Sequence, residues 1–178
     1  MIIAGWGNNN IIRSDILYPK NEQEIIEILE KLNNEGIITR GLGRSYGDMS
    51  LYKNILSLEK YKKFFELDEK TGILRCSSNL SIVEILEKIV NKGWFLNVTP
   101  GSKYVTIGGA IANDVHGKNH HKDGSFSEYV EEIKIITPDG KINICSNKFE
   151  YDLFKATCGG AGLTGVIVSA KLKLLKIK

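Results

Sequence analysis

All three histidines of this 178-residue chain fall in one short block, His116-Gly117-Lys118-Asn119-His120-His121. Imidazoles ligate transition metals, exchange protons near neutral pH, or sit in a solvated loop. A metal site is the weakest of these readings, because His120 and His121 are neighbours that would point apart in a strand and the cysteines lie elsewhere. A polar surface loop explains the block plainly. A redox site explains it with more content, since a positive Lys118 and a polarizable His116 beside a reduced cofactor ring would stabilise its negative charge. The same groups would orient or deprotonate a substrate hydroxyl as hydride leaves its carbon. His116 and Lys118 are therefore the candidate catalytic residues, and no metal is expected.

The 18 glycines supply the second chemical signal, because they gather in three clusters. A phosphate-bearing ligand needs bare backbone N–H groups at close range, and glycine permits both the approach and the required dihedrals. The first cluster, Arg40-Gly41-Leu42-Gly43-Arg44-Ser45-Tyr46-Gly47, adds two arginines and two hydroxyls that complement a pyrophosphate. It is not the Rossmann fingerprint, whose spacing would place the third glycine at 46. The second runs from Pro100-Gly101-Ser102 to Thr106-Ile107-Gly108-Gly109, and the third from Gly159 to Gly165. Each alone is equally a tight turn or a packed loop. Together they favour one extended ligand lying between two lobes, and a dinucleotide has that length.

Positioning these loops falls to a regular pattern of elements. Asn21 followed by Glu24 predicts a helix with the apolar stripe Ile25, Ile28, Leu29 and Leu32, closed by Gly36. Ile37 to Arg40 reads as a short strand feeding the first glycine loop, and another strand lies near Ile55 to Leu58. Phe64 to Leu67 and Ile73 to Ser77 flank Asp68-Glu69-Lys70-Thr71-Gly72, a hairpin signature. Ser81 with Glu84 is a capping box for a second helix, with Val83, Leu86, Ile89 and Val90 on one side. Trp94 to Leu96 is a further strand. Past Thr99, the small residues Gly108 to Asn113 suit a tight helical turn. Val130 to Thr137 and Lys141 to Cys145 make a strand pair around Pro138-Asp139-Gly140. A short helix over Glu150 to Ala156 and a last strand over Val166 to Leu174 complete the pattern. The expected fold class is α+β in two lobes: a small βα lobe over about residues 1–98, and a mainly antiparallel sheet lobe with flanking helices over about 99–178.

Bulk composition narrows the setting. A net charge of +3, from 24 basic and 21 acidic residues mixed along the chain, does not indicate nucleic acid or an anionic membrane. The three cysteines are far apart and form no CxxC, so they read as small buried hydrophobes in a reducing compartment. No run approaches the ~20 apolar residues of a membrane span, and no signal peptide opens the chain. The expected location is cytoplasmic.

In order and at compatible spacing, Arg40 to Asp48, Thr106 to Ala112, Asp114 to His121, Gly124-Ser125-Phe126 and Gly159 to Gly165 resemble one known family. It is the PCMH-type FAD-binding domain of the vanillyl-alcohol-oxidase superfamily, and within it the decaprenylphosphoryl-β-D-ribose 2-oxidase family; the opening Gly5-Trp6-Gly7 is similar too. The resemblance implies FAD between two α+β lobes. Arg40, Gly41, Gly43, Arg44, Ser45, Tyr46, Gly101 and Ser102 would line its pyrophosphate side. Thr106, Gly108, Gly109, Ala112, Asn113, Val115, His116 and Gly117 would follow the ADP-ribityl part and the ring, and Val166 would meet the adenine side through its backbone. His116 and Lys118 would face the substrate. In the family, hydride passes from a sugar C2 to flavin N5, and a separate NADH-dependent reductase then reduces the keto-sugar with inversion. Arg44 occupies the slot where covalent flavoproteins of the superfamily carry histidine, which implies non-covalent FAD. Family members continue into a substrate-binding cap domain. With the chain ending at Lys178, the cap is expected to come from a partner or a longer parent chain, and the substrate to be a sugar or lipid-linked sugar, with the flavin domain of an aldonolactone or alditol oxidase as the alternative.

Overall fold

The computed structural model describes residues 1–178. An antiparallel ribbon of β1 (Ile2–Ala4) and β2 (Ile11–Arg13) opens the chain, an element the sequence patterns did not predict. A small parallel sheet follows. Strand β3 (Asp15–Leu17) leads into α1 (Glu22–Lys31), which returns the chain to β4 (Ile38–Arg40), and β5 (Asn54–Ser57) inserts between β3 and β4. Helix α1 starts where predicted because Asn21 Oδ1 accepts the Glu24 N–H at 3.0 Å, while the Glu24 carboxylate accepts from Lys20 N at 2.8 Å. It ends at Leu32, and Gly36, at φ 73°, closes the turn beyond it.

The predicted hairpin forms from β6 (Phe65–Asp68) and β7 (Ile73–Ser77). Then come α2 (Ile82–Ile89), β8 (Trp94–Phe95), α3 (Ile107–Ala112) and the one-turn α4 (His120–Asp123). Strands β9 (Val130–Ile136) and β10 (Ile142–Cys145), helix α5 (Tyr151–Thr157), and strands β11 (Val166–Lys173) and β12 (Leu175–Lys176) complete the chain. The larger sheet is antiparallel throughout, in the order β10-β9-β11-β7-β6.

Three expectations need revision. The change of sheet falls between Ser57 and Phe65, not at 98/99, because β7 pairs with β11 from Ile73↔Lys173 to Ser77↔Ser169 and draws β6 with it. Helix α2 buries Ile82, Ile85 and Ile89, whereas Val83 is half-buried and Val90 is exposed. The Ser81 cap makes Ile82 the first helical residue, and backbone bonds from Ile82 N to Val105 O and from Val83 N to Lys103 O fix which face turns inward. His120 and His121 lie on α4 rather than on a strand.

Neighbouring residues of β9 face opposite ways. Ile133 and Ile135 join Ile82 and Ile85 of α2 and Ile107 and Ile111 of α3 in the larger core, while Ile136, with Val166 and Val168, packs on Ile25, Leu29 and Leu56. Helices α2 and α3 thus cover one face of the large sheet, and α1 with the parallel sheet covers the other. Each fully buried isoleucine contributes roughly 1.5–3 kcal/mol by leaving water. That rigid frame carries the loops after β4, before α3 and before β11.

Candidate functional site

Those loops meet at one cleft of about 870 Å³, within the size range of small-molecule sites. All three glycine clusters contribute to its wall. Every site residue proposed from sequence lines it except Gly117, Lys118 and Val166.

The first cluster is an open anion cradle. None of the seven backbone N–H groups from Gly41 to Gly47 donates to a protein acceptor. Successive free N–H groups in a turn form a concavity that attracts phosphate oxygens. The two arginines have different duties there. Arg40 Nη2 donates to Ala4 O at 2.7 Å, and its Nη1 donates to Ser50 O and Oγ at 3.3 and 3.2 Å. Gly43, at φ 65°, lies so close over that guanidinium that a β-carbon would overlap it. Arg40 therefore shapes the loop from beneath. Arg44 is exposed, with its Cζ 4.3 Å from the centroid of the Trp6 ring.

The second cluster is closed towards anions at its helix and open before it. Thr106 caps α3, its Oγ1 accepting Gly109 N at 3.1 Å, while Ile107 N and Gly108 N donate to Leu80 O and Ser78 O, each at 2.8 Å. With the first N–H groups of α3 already paired, its glycines serve approach rather than capture. A β-carbon on Gly108 would sit 3.1 Å from Ser78 Cβ, and one on Gly41 would sit 2.6 Å from Thr106 Oγ1. Gly101 differs, because a β-carbon there meets nothing within 4 Å.

The third cluster is largely a helix cap. Gly159 N donates to Ile111 O at 3.0 Å, a carbonyl that also accepts from Asp114 N, and Ala161 N donates at 2.7 Å to Ala112 O, the last carbonyl of α3. Gly162 and Gly165 reach the cleft from this loop. Val166 is buried, so only its neighbours Gly165 and Ile167 line the wall.

The histidine block leaves the same end of α3. Asp114 holds a left-handed φ of 39°, a conformation that a non-glycine residue keeps only when its surroundings over-determine it. Ser125 Oγ and Ser127 N both donate to its carboxylate, at 2.7 and 2.8 Å, and Phe126 N donates to Val115 O at 2.9 Å. These bonds fix the main chain of His116, which bridges to Ser125 and exposes its ring at the cleft. Gly117 is pressed on Thr99 O, 2.7 Å from where a β-carbon would lie. Asn113 Nδ2 donates to Gly109 O at 2.9 Å. Lys118 is exposed and outside the lining. The His116 and His120 ring centroids are 5.1 Å apart.

Sequence reasoning missed several lining residues, notably Trp6, Ser78, Asn79, Lys63 and Glu84. Glu84 was legible only as half of the capping box. Partial burial pushes its carboxyl up, but hydrogen bonds from Lys63 and from the Ser81 hydroxyl and N–H outweigh this and hold it at about 2. The cysteines stand apart from the cleft. Burial pushes Cys76 and Cys158 up to about 12 and Cys145 to about 11, which keeps all three thiols protonated and unreactive.

The arrangement suits a long ligand with a central diphosphate: free N–H groups and one available guanidinium at the first loop, open space over Gly101, and an imidazole at the far end of α3. Residues 14–146 match the family model described as FAD binding domain. The chain is 32% identical to decaprenylphosphoryl-beta-D-ribose oxidase of Mycolicibacterium smegmatis, over 97% of this chain and 39% of that protein. It is 26% identical to D-lactate dehydrogenase of Archaeoglobus fulgidus, over 89% of this chain and 38% of that protein. It is also 28% identical to Delta(24)-sterol reductase of Rattus norvegicus, over 69% of this chain and 26% of that protein. The chain thus spans about two fifths or less of the length of these relatives. No helix is long and apolar enough to cross a membrane.

Proposed function

This chain belongs to the FAD-binding domain family, and from that premise we propose that it holds FAD non-covalently as the flavin half of an oxidoreductase acting on a sugar CH–OH group. The observation that carries the reading is the run of unpaired N–H groups from Gly41 to Tyr46 on the same cleft as His116. Gly41 to Tyr46 would hold the diphosphate, with Arg44 as its side-chain cation and Gly101-Ser102 contributing from the second loop. Thr106, Gly108, Gly109, Ala112, Asn113, Val115, His116 and Gly117 would hold the ADP-ribityl part and the ring, and the Val166 backbone would meet the adenine side. Arg44 in the first loop leaves no histidine there to attach the cofactor, and the thiols, none of which lines the cleft, are no substitute.

Bound FAD supplies a hydride acceptor. His116 takes the proton of the substrate hydroxyl, so that the carbon losing hydride becomes a ketone. Lys118, on its flexible four-carbon stem, offers positive charge to the oxygen as that proton leaves. A lipid-linked pentose is the substrate class suggested by the name of the Mycolicibacterium smegmatis relative. The proposal adds a separate NADH-dependent reductase that consumes the keto-sugar. A second reading is a flavin-holding unit whose substrate wall comes from a further domain or subunit. The exposure of Asn113 and His116 at the cleft favours it.

Two outcomes are expected. The purified protein takes up FAD, and acid denaturation releases all the chromophore into the filtrate. A colourless protein that ignores added FAD would defeat the reading, and colour retained on the precipitate would defeat non-covalent attachment. In the intact protein, His116→Ala binds FAD within about threefold of wild type. Anaerobic bleaching of its flavin by a polyprenylphosphoryl ribose slows on the order of 10²- to 10⁴-fold. An unchanged bleaching rate would remove His116 from proton transfer.

A further inference from the structure

The family match begins at residue 14, so the β1–β2 ribbon lies outside it. That ribbon nevertheless grips the anion cradle. Ala4 O accepts from Arg40 Nη2 at 2.7 Å, and Trp6 N donates to Ser45 O at 3.0 Å. Gly5 is pressed so closely on the loop that a β-carbon would stand 2.6 Å from Gly47 O. Trp6 itself is 49% exposed, lines the cleft and lies under the Arg44 guanidinium at 4.3 Å.

These contacts divide the labour around one loop. The backbone bond from Trp6 N to Ser45 O and the Arg40 side chain fix its path, but nothing in the path aims a long arginine side chain. Arg44 takes part in none of the ion pairs and none of the side-chain hydrogen bonds of the protein, and the indole face is the contact that restrains it. A free arginine loses much rotamer entropy when it captures an anion, and a stacked one has lost part of it beforehand. The indole also leaves the N–H fork of the guanidinium open at its edge, where a phosphate binds.

We infer that Trp6 is a positioning residue of the cofactor site, acting through Arg44 to hold its guanidinium ready for the diphosphate. The inference rests on the FAD reading. It makes residues 1–13 part of the binding machinery, although they lie outside the family match. Trp6 and Arg44 form one unit, so removing either should remove the same interaction.

The test is a double-mutant cycle on the full chain, with Trp6→Ala, Trp6→Phe, Arg44→Ala and the Trp6→Ala/Arg44→Ala pair, titrated with FAD and with ADP. Trp6→Ala is expected to weaken FAD about tenfold, as befits loss of a partly desolvated cation–π contact. ADP should weaken by the same factor, since it carries the diphosphate without the flavin. Phenylalanine, which keeps an aromatic face, should restore most of the affinity, and the double variant should bind no worse than Arg44→Ala. The ligand-free melting temperature of Trp6→Ala should stay within about 3 °C of wild type, separating aim from folding. Wild-type binding with Trp6→Ala unaltered, independent losses that multiply, or a phenylalanine variant no better than alanine would each overturn the inference while leaving the FAD reading standing. A wild-type protein that binds neither FAD nor ADP would overturn both.

Discussion

Gly101→Leu should reduce FAD affinity about 100-fold while leaving the thermal unfolding of the ligand-free protein where it was. Gly101 is exposed, and a β-carbon built on it meets no atom within 4 Å. The free protein therefore has room for a side chain, and its conformation does not demand glycine. Yet Gly101 lines the same cleft as the anion cradle, so the added isobutyl group enters space that a bound dinucleotide would fill. Overpacking of a formed site costs about 1–3 kcal/mol, and 1.4 kcal/mol is a factor of ten in affinity, so an isobutyl group with no room to yield, at the upper end of that range, places the loss near two orders of magnitude. Isothermal titration with FAD, alongside differential scanning fluorimetry of the ligand-free variant, checks both halves. Undiminished uptake would show that the ligand does not pass over Gly101. A large fall in melting temperature would show that the space is not free in solution.

Much of this site is legible in the sequence because its signals are local. The Asn21 cap, the Ser81–Glu84 capping box, the β6–β7 turn and the strand feeding the first glycine loop all depend on residues within a few positions of each other, and all form as expected. What failed to show was non-local. Nothing within Ile73 to Ser77 announces a partner almost a hundred residues away, and the Ser78 hydroxyl that donates to Ile167 O bridges 89 positions. The sheet to which β6 and β7 belong was therefore assigned to the wrong half of the chain. The α2 sequence Ile82-Val83-Glu84-Ile85-Leu86 has apolar residues at two helical phases, and only packing decides between them. Trp6 is marked in the sequence only by the resemblance of Gly5-Trp6-Gly7, which says nothing of its role, since that role depends on meeting Arg44 across the ribbon. Glycine composition also hides function, because one residue type serves three purposes here: free N–H groups at Gly41 to Gly47, close approach at Gly108, and a forced dihedral in the loop before β11.

That last purpose gives the second large effect, and it runs opposite to the first. Gly165→Ala should destabilise the ligand-free protein by about 4 kcal/mol and lower its melting temperature by roughly 8–16 °C. Gly165 has φ 145°, in a region that L residues hardly enter, so alanine carries about 1–3 kcal/mol of backbone strain there. Its β-carbon would also overlap the carbonyl oxygen of Ile136 and stand 3.1 Å from Thr137 Cα. Both obstacles are main chain of β9 or its end, paired with β11 from Val166↔Ile136 onward, so relief requires moving the seam that joins the two cores. A further 1–3 kcal/mol follows from that overpacking. Against the 5–15 kcal/mol that stabilises a typical domain, such a loss leaves a marginal fold. Chemical denaturation of the ligand-free variant reads it directly, and a midpoint equal to wild type would mean that the turn before β11 relaxes independently of the sheet. Gly101 and Gly165 look alike in the sequence, each a glycine in a loop beside the cleft. The first should tolerate a side chain until the ligand arrives, and the second should tolerate none, because only at Gly165 is the space already occupied by the protein itself.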